Sequence, residues 1–290
     1  MDNNNSSPTD YVMPGHVACP GCGAVIAMKF ALQALGPKTI LVIPACCWAV
    51  IAGVHPQTSL KVPVLHTAFE TSGAAASGVR AALDMKGDTE TTVVAWAGDG
   101  GTFDIGFQSL SGACERNEDF IYVCYDNEAY MNTGVQRSSA TPFGARTTTT
   151  PGDAWKNRRK KNIIEALAAH RIPYAASVNI AYPDDMIGKF KKAKDIKGTR
   201  FIHAYASCPT GWRVPSDQTV SIARLAVQTN FFPLYEVDDG IQYTINSQGN
   251  RPVSDYLKAQ GRFKHLMDND IQTIQDMVDE DWQLLCHKAS

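Results

Sequence analysis

TTVVAWAGDGG, residues 91–101, is a β-branched apolar run that stops abruptly on Gly-Asp-Gly-Gly. Apolarity this continuous marks a strand buried on both faces, because a strand with one wet face alternates. TILVIPA at 39–45 has the same character, and further strands are expected over 120–125, 174–180 and 200–206. Amphipathic stretches at 24–35, 72–85, 103–116, 161–170, 184–194 and 219–228 separate them and are expected as helices. Such alternation implies a doubly wound α/β domain, a mostly parallel sheet with helices on both faces.

Outside that core the chain divides further. Residues 1–14, rich in Asn and Ser, are expected as a mobile arm, and 15–230 hold the α/β domain. Residues 231–290 open with polar pieces such as DDGIQYTINSQGNRP and are expected as a C-terminal extension packed on partner subunits. With 44% hydrophobic and 19% charged residues and a formal net charge of -2, the composition is ordinary globular. Nothing in it points to nucleic acid or a membrane. No apolar run approaches the roughly 20 residues of a membrane helix, and the N-terminus lacks the basic and apolar regions of a signal peptide. A cytoplasmic protein is expected.

In that compartment the eight cysteines stay reduced, so a clustered subset reads as metal ligands or redox thiols. Cys19 and Cys22 form CPGCG, Cys46 and Cys47 lie in PACCWAV, and Cys208 lies in ASCPTGW. A CxxC pair fits thioredoxin-like chemistry, structural zinc and an iron–sulfur cluster alike. No strand precedes CPGCG, as a thioredoxin motif needs, and the other thiols follow strands 39–45 and 200–206. Cys114 and Cys124 read as small core hydrophobes, and Cys286 has no assigned role.

Ligands of open α/β sheets collect beyond the carboxyl ends of the strands, and there the polar motifs fall. Asp99 follows strand 91–97, and Asn127 in YDNEAYMN follows strand 120–125. Both supply hard oxygen ligands of the kind Mg²⁺ takes together with phosphate oxygens. Gly98, Gly100 and Gly101 let the backbone approach closely, and the start of the next helix favours a diphosphate. A lone GDG is most simply a turn; its pairing with NEAYMNTG makes it a cofactor site.

The segments CPGCG, PACCWAV, GDGGTFDIGFQSL, DNEAYMNTGVQRSSATPFGA, TTTTPG, KKNIIEALAAHRIPY, VNIAYPDD, ASCPTGW and RPVSDYLKAQGRFKHL resemble the beta subunit of the 2-oxoacid:ferredoxin oxidoreductases. The pyruvate:ferredoxin oxidoreductase type is the most similar, over residues 16–266. The resemblance implies the thiamine-diphosphate-binding fold, with thiamine diphosphate, Mg²⁺ and a 4Fe-4S cluster as cofactors. It assigns Asp99, Asn127 and the carbonyl of Ala129 to Mg²⁺, and places Asn132 beside the reacting thiazolium. Cys19, Cys22 and Cys208 match cluster ligands; counting without gaps from Cys22 gives Cys47 as the other, with Cys46 as the alternative.

The implied reaction is thiamine-dependent oxidative decarboxylation of a 2-oxoacid, pyruvate first, with oxalate, branched-chain or aryl 2-oxoacids as alternatives. Electrons pass through the cluster to ferredoxin, and coenzyme A usually takes the acyl group. The implied partners are an alpha subunit carrying the pyrimidine-binding domain and the activating glutamate, and gamma and ferredoxin-like delta subunits or domains. The isolated chain is therefore expected to be inactive. Glu70 and Glu128 read as supporting residues, His66 and Phe69 as cap or core, and KNRRKK at 156–161 as a solvated face able to steer ferredoxin or coenzyme A. A non-redox thiamine carboligase or decarboxylase is a more distant alternative that needs no cysteine cage. A zinc-stabilised assembly subunit has no use for Asp99 and Asn127.

Overall fold

Every residue of the runs at Phe120–Asp126 and Thr199–Tyr205 is buried, as continuous apolarity requires of strands covered on both faces. The computed structural model describes residues 10–54 and 56–290. The strands are β1 (Thr39–Pro44), β2 (Val64–Thr67), β3 (Thr92–Gly98), β4 (Phe120–Asp126), β5 (Tyr174–Asn179), β6 (Thr199–Tyr205), β7 (Tyr235–Asp238) and β8 (Gln242–Ile245). They form one sheet in the order β2-β1-β3-β4-β6-β5-β7-β8. β1 to β6 pair in parallel, and β7 and β8 join antiparallel at one edge.

The helices are α1 (Gly23–Leu35), α2 (Trp48–Ile51), α3 (Ser72–Met85), α4 (Phe107–Glu115), α5 (Ile163–Ala168), α6 (Pro183–Asp195), α7 (Pro209–Trp212), α8 (Thr219–Gln228), α9 (Val253–Lys258) and α10 (Asp268–Ala289). α1 and α6 cover one sheet face around Leu32, Trp96 and Phe190. α3, α4 and α5 cover the other, around Leu110, Tyr122 and Phe201. A third core of Tyr205, Trp212, Tyr256 and Phe263 gathers the C-terminal segment. Since β1 leads outward to β2 while β3 leads the opposite way to β4, the strand order reverses between β1 and β3. That reversal opens a crevice at the carboxyl ends.

All five expected strands are present. β2, β7 and β8 were not expected, because four residues each carry too little pattern to register. The helix expected over 161–170 shortens to α5, whose N-cap Asn162 accepts from the Glu165 N–H. The helix expected from Phe103 begins earlier, as a π turn over Gly100–Ile105, and resumes as α4. Gly106 permits this: its N–H donates to Gly101 O at 2.9 Å, and a Cβ there would fall 2.2 Å from that oxygen.

The termini differ more. Of the arm expected over 1–14, residues 1–9 lie outside the described residues. Val12 is buried and bridged to Leu60, so this stretch is fastened to the body. The extension from Phe231 packs on its own chain: β7 pairs with β5, and Tyr256, Phe263, Ile274 and Leu285 are buried. The sequence suggests an arm because two four-residue strands and a long polar-faced helix hide their inward residues in a polar stretch.

Candidate active site

Four neighbouring strands, β1, β3, β4 and β6, end on Cys46-Cys47, Asp99, Asn127 and Cys208, so the crevice collects the expected groups. Asp99 is buried, and its Oδ2 accepts from Ser138 Oγ at 2.5 Å. The side-chain amide of Asn127 converges on Asp99 Oδ1 at 3.0 Å and the Ala129 carbonyl at 3.1 Å, and with its NH2 turned inward it donates to both. Octahedral Mg²⁺ with bonds of about 2.0–2.1 Å sets neighbouring ligand oxygens about 2.9 Å apart, so these three groups, with the amide turned over to present its oxygen, have the spacing that ion needs.

Asp99 is also the N-cap of the π turn and spends no side-chain bond on it, leaving the first amides of Gly100–Ile105 for a ligand. Gly100 is required here: a Cβ would stand 2.3 Å from the Tyr130 ring. Tyr130 is itself fixed by its hydroxyl, which donates to Asp104 Oδ2 at 2.9 Å, and by edge-on contact with Phe69. Asn132 is exposed at the tip of the turn from Met131 to Val135 that leaves this loop.

Behind the loop lies a buried charge network. Asp126 accepts from the Glu128 N–H at 2.8 Å, pairs with Lys160, and faces His203 Nε2 at 2.7 Å. Glu128 pairs with Lys160 at 3.0 Å and Arg262 at 2.5 Å. Burial alone raises the Asp126 carboxyl, but Lys160 and His203 outweigh it and bring the pKa down to about 2. Burial pushes Asp99 well above the carboxylate range, and Asp126 adds to the rise. Burial lowers His203 and favours its neutral form.

The thiols gather on the α1 side. Burial, helped by the thiols of Cys46, Cys208 and Cys22, raises Cys47 to about 12. Cys208, at the N-cap of α7, is raised to about 11 by burial together with Cys22 and Cys19, so Cys208 and Cys22 lie near Cys47 and Cys19 lies near Cys22 and Cys208. Cys46 is raised by burial but meets Tyr125 and Gly98. Its thiol points toward the sheet end. Among the described residues no three His, Cys, Asp or Glu side chains converge tightly enough to hold a single metal ion.

Sequence reasoning missed several residues. KNRRKK is a solvated face only in part: Asn157, Arg158, Arg159 and Lys161 are exposed, but Lys156 is buried and donates to the Ser139 carbonyl at 3.1 Å, Arg159 pairs with Glu280 and Asp281, and Lys160 lies in the network. Lys161 donates to the Phe103 carbonyl. Cation density alone could not reveal internal partners. Phe69, set aside as cap or core, packs on Tyr130, while His66 and Glu70 are exposed. Ser138, Trp212 and Arg262 carried no signal, being distant in sequence from what they touch. A cavity of about 290 Å³ beneath α10 reaches His203 but none of the expected site residues.

A doubly wound sheet with this oxygen-lined loop at its switch point defines a thiamine-diphosphate-binding domain. The family of thiamine pyrophosphate enzymes, C-terminal TPP binding domain, matches residues 46–204. The ketoisovalerate oxidoreductase subunit VorB of Pyrococcus furiosus is 52% identical over 95% of this chain and 92% of its own. The pyruvate synthase subunit PorB of Methanothermobacter marburgensis is 47% identical over 93% of this chain and 95% of its own. The chain belongs to the beta subunits of the 2-oxoacid:ferredoxin oxidoreductases. A 2-oxoglutarate:ferredoxin oxidoreductase structure from Magnetococcus marinus shares the fold, with TM-score 0.61 and 22% identity over 76% of this chain and 81% of that one. The protein is therefore an oxidoreductase subunit for thiamine-dependent 2-oxoacid oxidation, and works with partner subunits. Among the described residues no helix is long and apolar enough to cross a membrane.

Proposed function

We propose that this chain holds the diphosphate end of thiamine diphosphate through Mg²⁺ and carries a 4Fe-4S cluster beside it. The observation that carries the reading is the convergence of the Asn127 side-chain amide on Asp99 Oδ1 at 3.0 Å and on the Ala129 carbonyl at 3.1 Å. Asp99, Asn127 and the Ala129 carbonyl hold the ion, and Gly98, Gly100 and Gly101 admit the diphosphate to the helix start. Cys19, Cys22, Cys47 and Cys208 hold the cluster; Cys46, turned to Tyr125, serves as filler. When bound, thiamine supplies the carbanion chemistry of 2-oxoacid decarboxylation, and the cluster accepts the electrons.

The chain's own residues position and exclude. Ser138 orients the Asp99 carboxylate, Phe69 and Tyr130 wall the crevice, and Asn132 reaches from its exposed turn toward the reacting end. Neither Glu70 nor Glu128 is placed to activate the coenzyme: the first is exposed, and the second is consumed by Lys160 and Arg262. The activating glutamate therefore comes from an alpha subunit. Gamma and ferredoxin-like delta subunits, ferredoxin and coenzyme A complete a cytoplasmic system. The substrate is a short aliphatic 2-oxoacid; relatives of 52% and 47% identity act on ketoisovalerate and pyruvate by name, which sets the branched-chain acid beside pyruvate.

Thiamine diphosphate titrated into the assembled complex should bind only with Mg²⁺, and Asp99→Asn should abolish the metal dependence. Metal-independent binding by the wild type overturns the assignment.

A further inference from the structure

Two cofactors on one chain must keep a fixed separation, and the loops that hold them meet at one side chain. We propose that Arg262 is a positioning residue that clamps the metal loop to the cysteine turn, an inference resting on the reading of those loops given above. Glu128 lies between the two oxygen donors Asn127 and Ala129, and its φ of 67° is left-handed in a residue with a side chain. Such a conformation persists where its surroundings enforce it. Here the enforcement is the buried carboxylate, 2.5 Å from Arg262 Nη2 and 3.0 Å from Lys160 Nζ.

The same guanidinium lies over the Trp212 ring, 4.2 Å from its centroid. Trp212 Nε1 donates to the Asn127 carbonyl at 2.8 Å. Trp212 also ends α7, whose N-cap is Cys208, and the Cys208 thiol accepts from the Gly211 N–H at 3.4 Å. Contacts therefore run Asn127, Glu128, Arg262, Trp212 and back to Asn127. This closed ring joins a metal donor to a cysteine turn without using any ligand atom.

Arg262 cannot swing away. Its Nε donates to Gln260 Oε1 at 2.9 Å, its Nη2 to the Tyr256 hydroxyl at 3.0 Å, and the side chain is buried. A planar fork that pairs with a carboxylate while stacking on an indole is a task for arginine that lysine does not match. The geometry also gives RPVSDYLKAQGRFKHL a role: it brings the clamp back to the site from 134 residues away.

The test uses the assembled complex with Arg262→Lys, Trp212→Phe, and Arg251→Gln as a surface control in the same segment. Three quantities are read: iron per chain, the Mg²⁺-dependent dissociation constant of thiamine diphosphate, and the electron paramagnetic resonance of the reduced cluster. Both clamp variants should keep their iron yet weaken thiamine diphosphate roughly 10- to 100-fold, as loss of an outer-shell partner does. Their resonance should shift, the double variant should be no worse than the weaker single, and the control should match wild type. Affinity and resonance within twofold of wild type in either clamp variant overturn the clamp. If Arg262→Lys does not assemble, Trp212→Phe decides, since it removes the Nε1 hydrogen bond to Asn127 while keeping an aromatic face beneath the guanidinium. A wild type that lacks iron or binds without Mg²⁺ overturns the underlying reading instead, and the clamp with it.

Discussion

Replacing Gly100 with alanine probes the site with a single methyl group. The added Cβ would stand 2.3 Å from Cε1 and 2.4 Å from Cδ1 of Tyr130. Non-bonded carbons settle at about 3.5–4.0 Å, so the ring must retreat by more than about 1 Å. It has little room to do so. Phe69 packs edge-on with centroids 5.8 Å apart, and the Tyr130 hydroxyl is tied to Asp104 at 2.9 Å. Overpacking of this kind costs about 1–3 kcal/mol. Tyr130 directly follows Ala129, so the retreat also drags the carbonyl that faces Asn127. The Gly100→Ala complex is expected to melt several degrees lower by calorimetry and to bind thiamine diphosphate with Mg²⁺ roughly tenfold more weakly. Gly101→Ala should be milder, since its Cβ would meet Phe69 at 3.3 Å. Equal melting and equal affinity for Gly100→Ala and wild type refute the reasoning.

Cys47→Ser should lower the iron content of anaerobically prepared complex while Cys46→Ser preserves it, because Cys47 alone of the two neighbours Cys22 and Cys208; the reverse result moves the ligand. Glu128→Gln breaks a buried ion pair and should destabilise by about 3–5 kcal/mol in denaturant unfolding; a loss below about 1 kcal/mol contradicts the network. Asp126 titrates near 2 in the fold against a usual 3.8, so its stabilisation is present above about pH 4 and disappears as pH falls toward 2. The shift corresponds to about 2 kcal/mol, and stability curves of wild type and Asp126→Asn that stay parallel between pH 4 and 2 count against it. In a panel of 2-oxoacids with a viologen acceptor, short aliphatic acids should give the highest kcat/KM; preference for an aryl acid refutes the substrate class.

The sheet was legible because its central strands are buried on both faces, so TILVIPA and TTVVAWA announce themselves without regard to context. The loop proposed to hold the metal stands out for a related reason: Asp99 and Asn127 each sit immediately after such a strand, where parallel topology collects loops. β7, β8 and α10 were hidden because they alternate or expose most of their length, which makes an inward-packed segment look like an arm. Lys160 was hidden because a lysine's sequence neighbours say nothing of whether its ammonium meets water or Asp126. Arg262 is the sharpest case. Its function depends on Glu128 and Trp212, residues that only the tertiary fold brings beside it.

The most direct measurement is the anaerobic visible spectrum of the assembled complex, recorded before and after a 2-oxoacid is added with Mg²⁺ and thiamine diphosphate. Expected is a broad brown absorption that bleaches on addition of the acid and no longer does so in Asp99→Asn. A colourless complex containing zinc, or a coloured one that the acid leaves unbleached, contradicts the pairing of cluster and coenzyme on this chain.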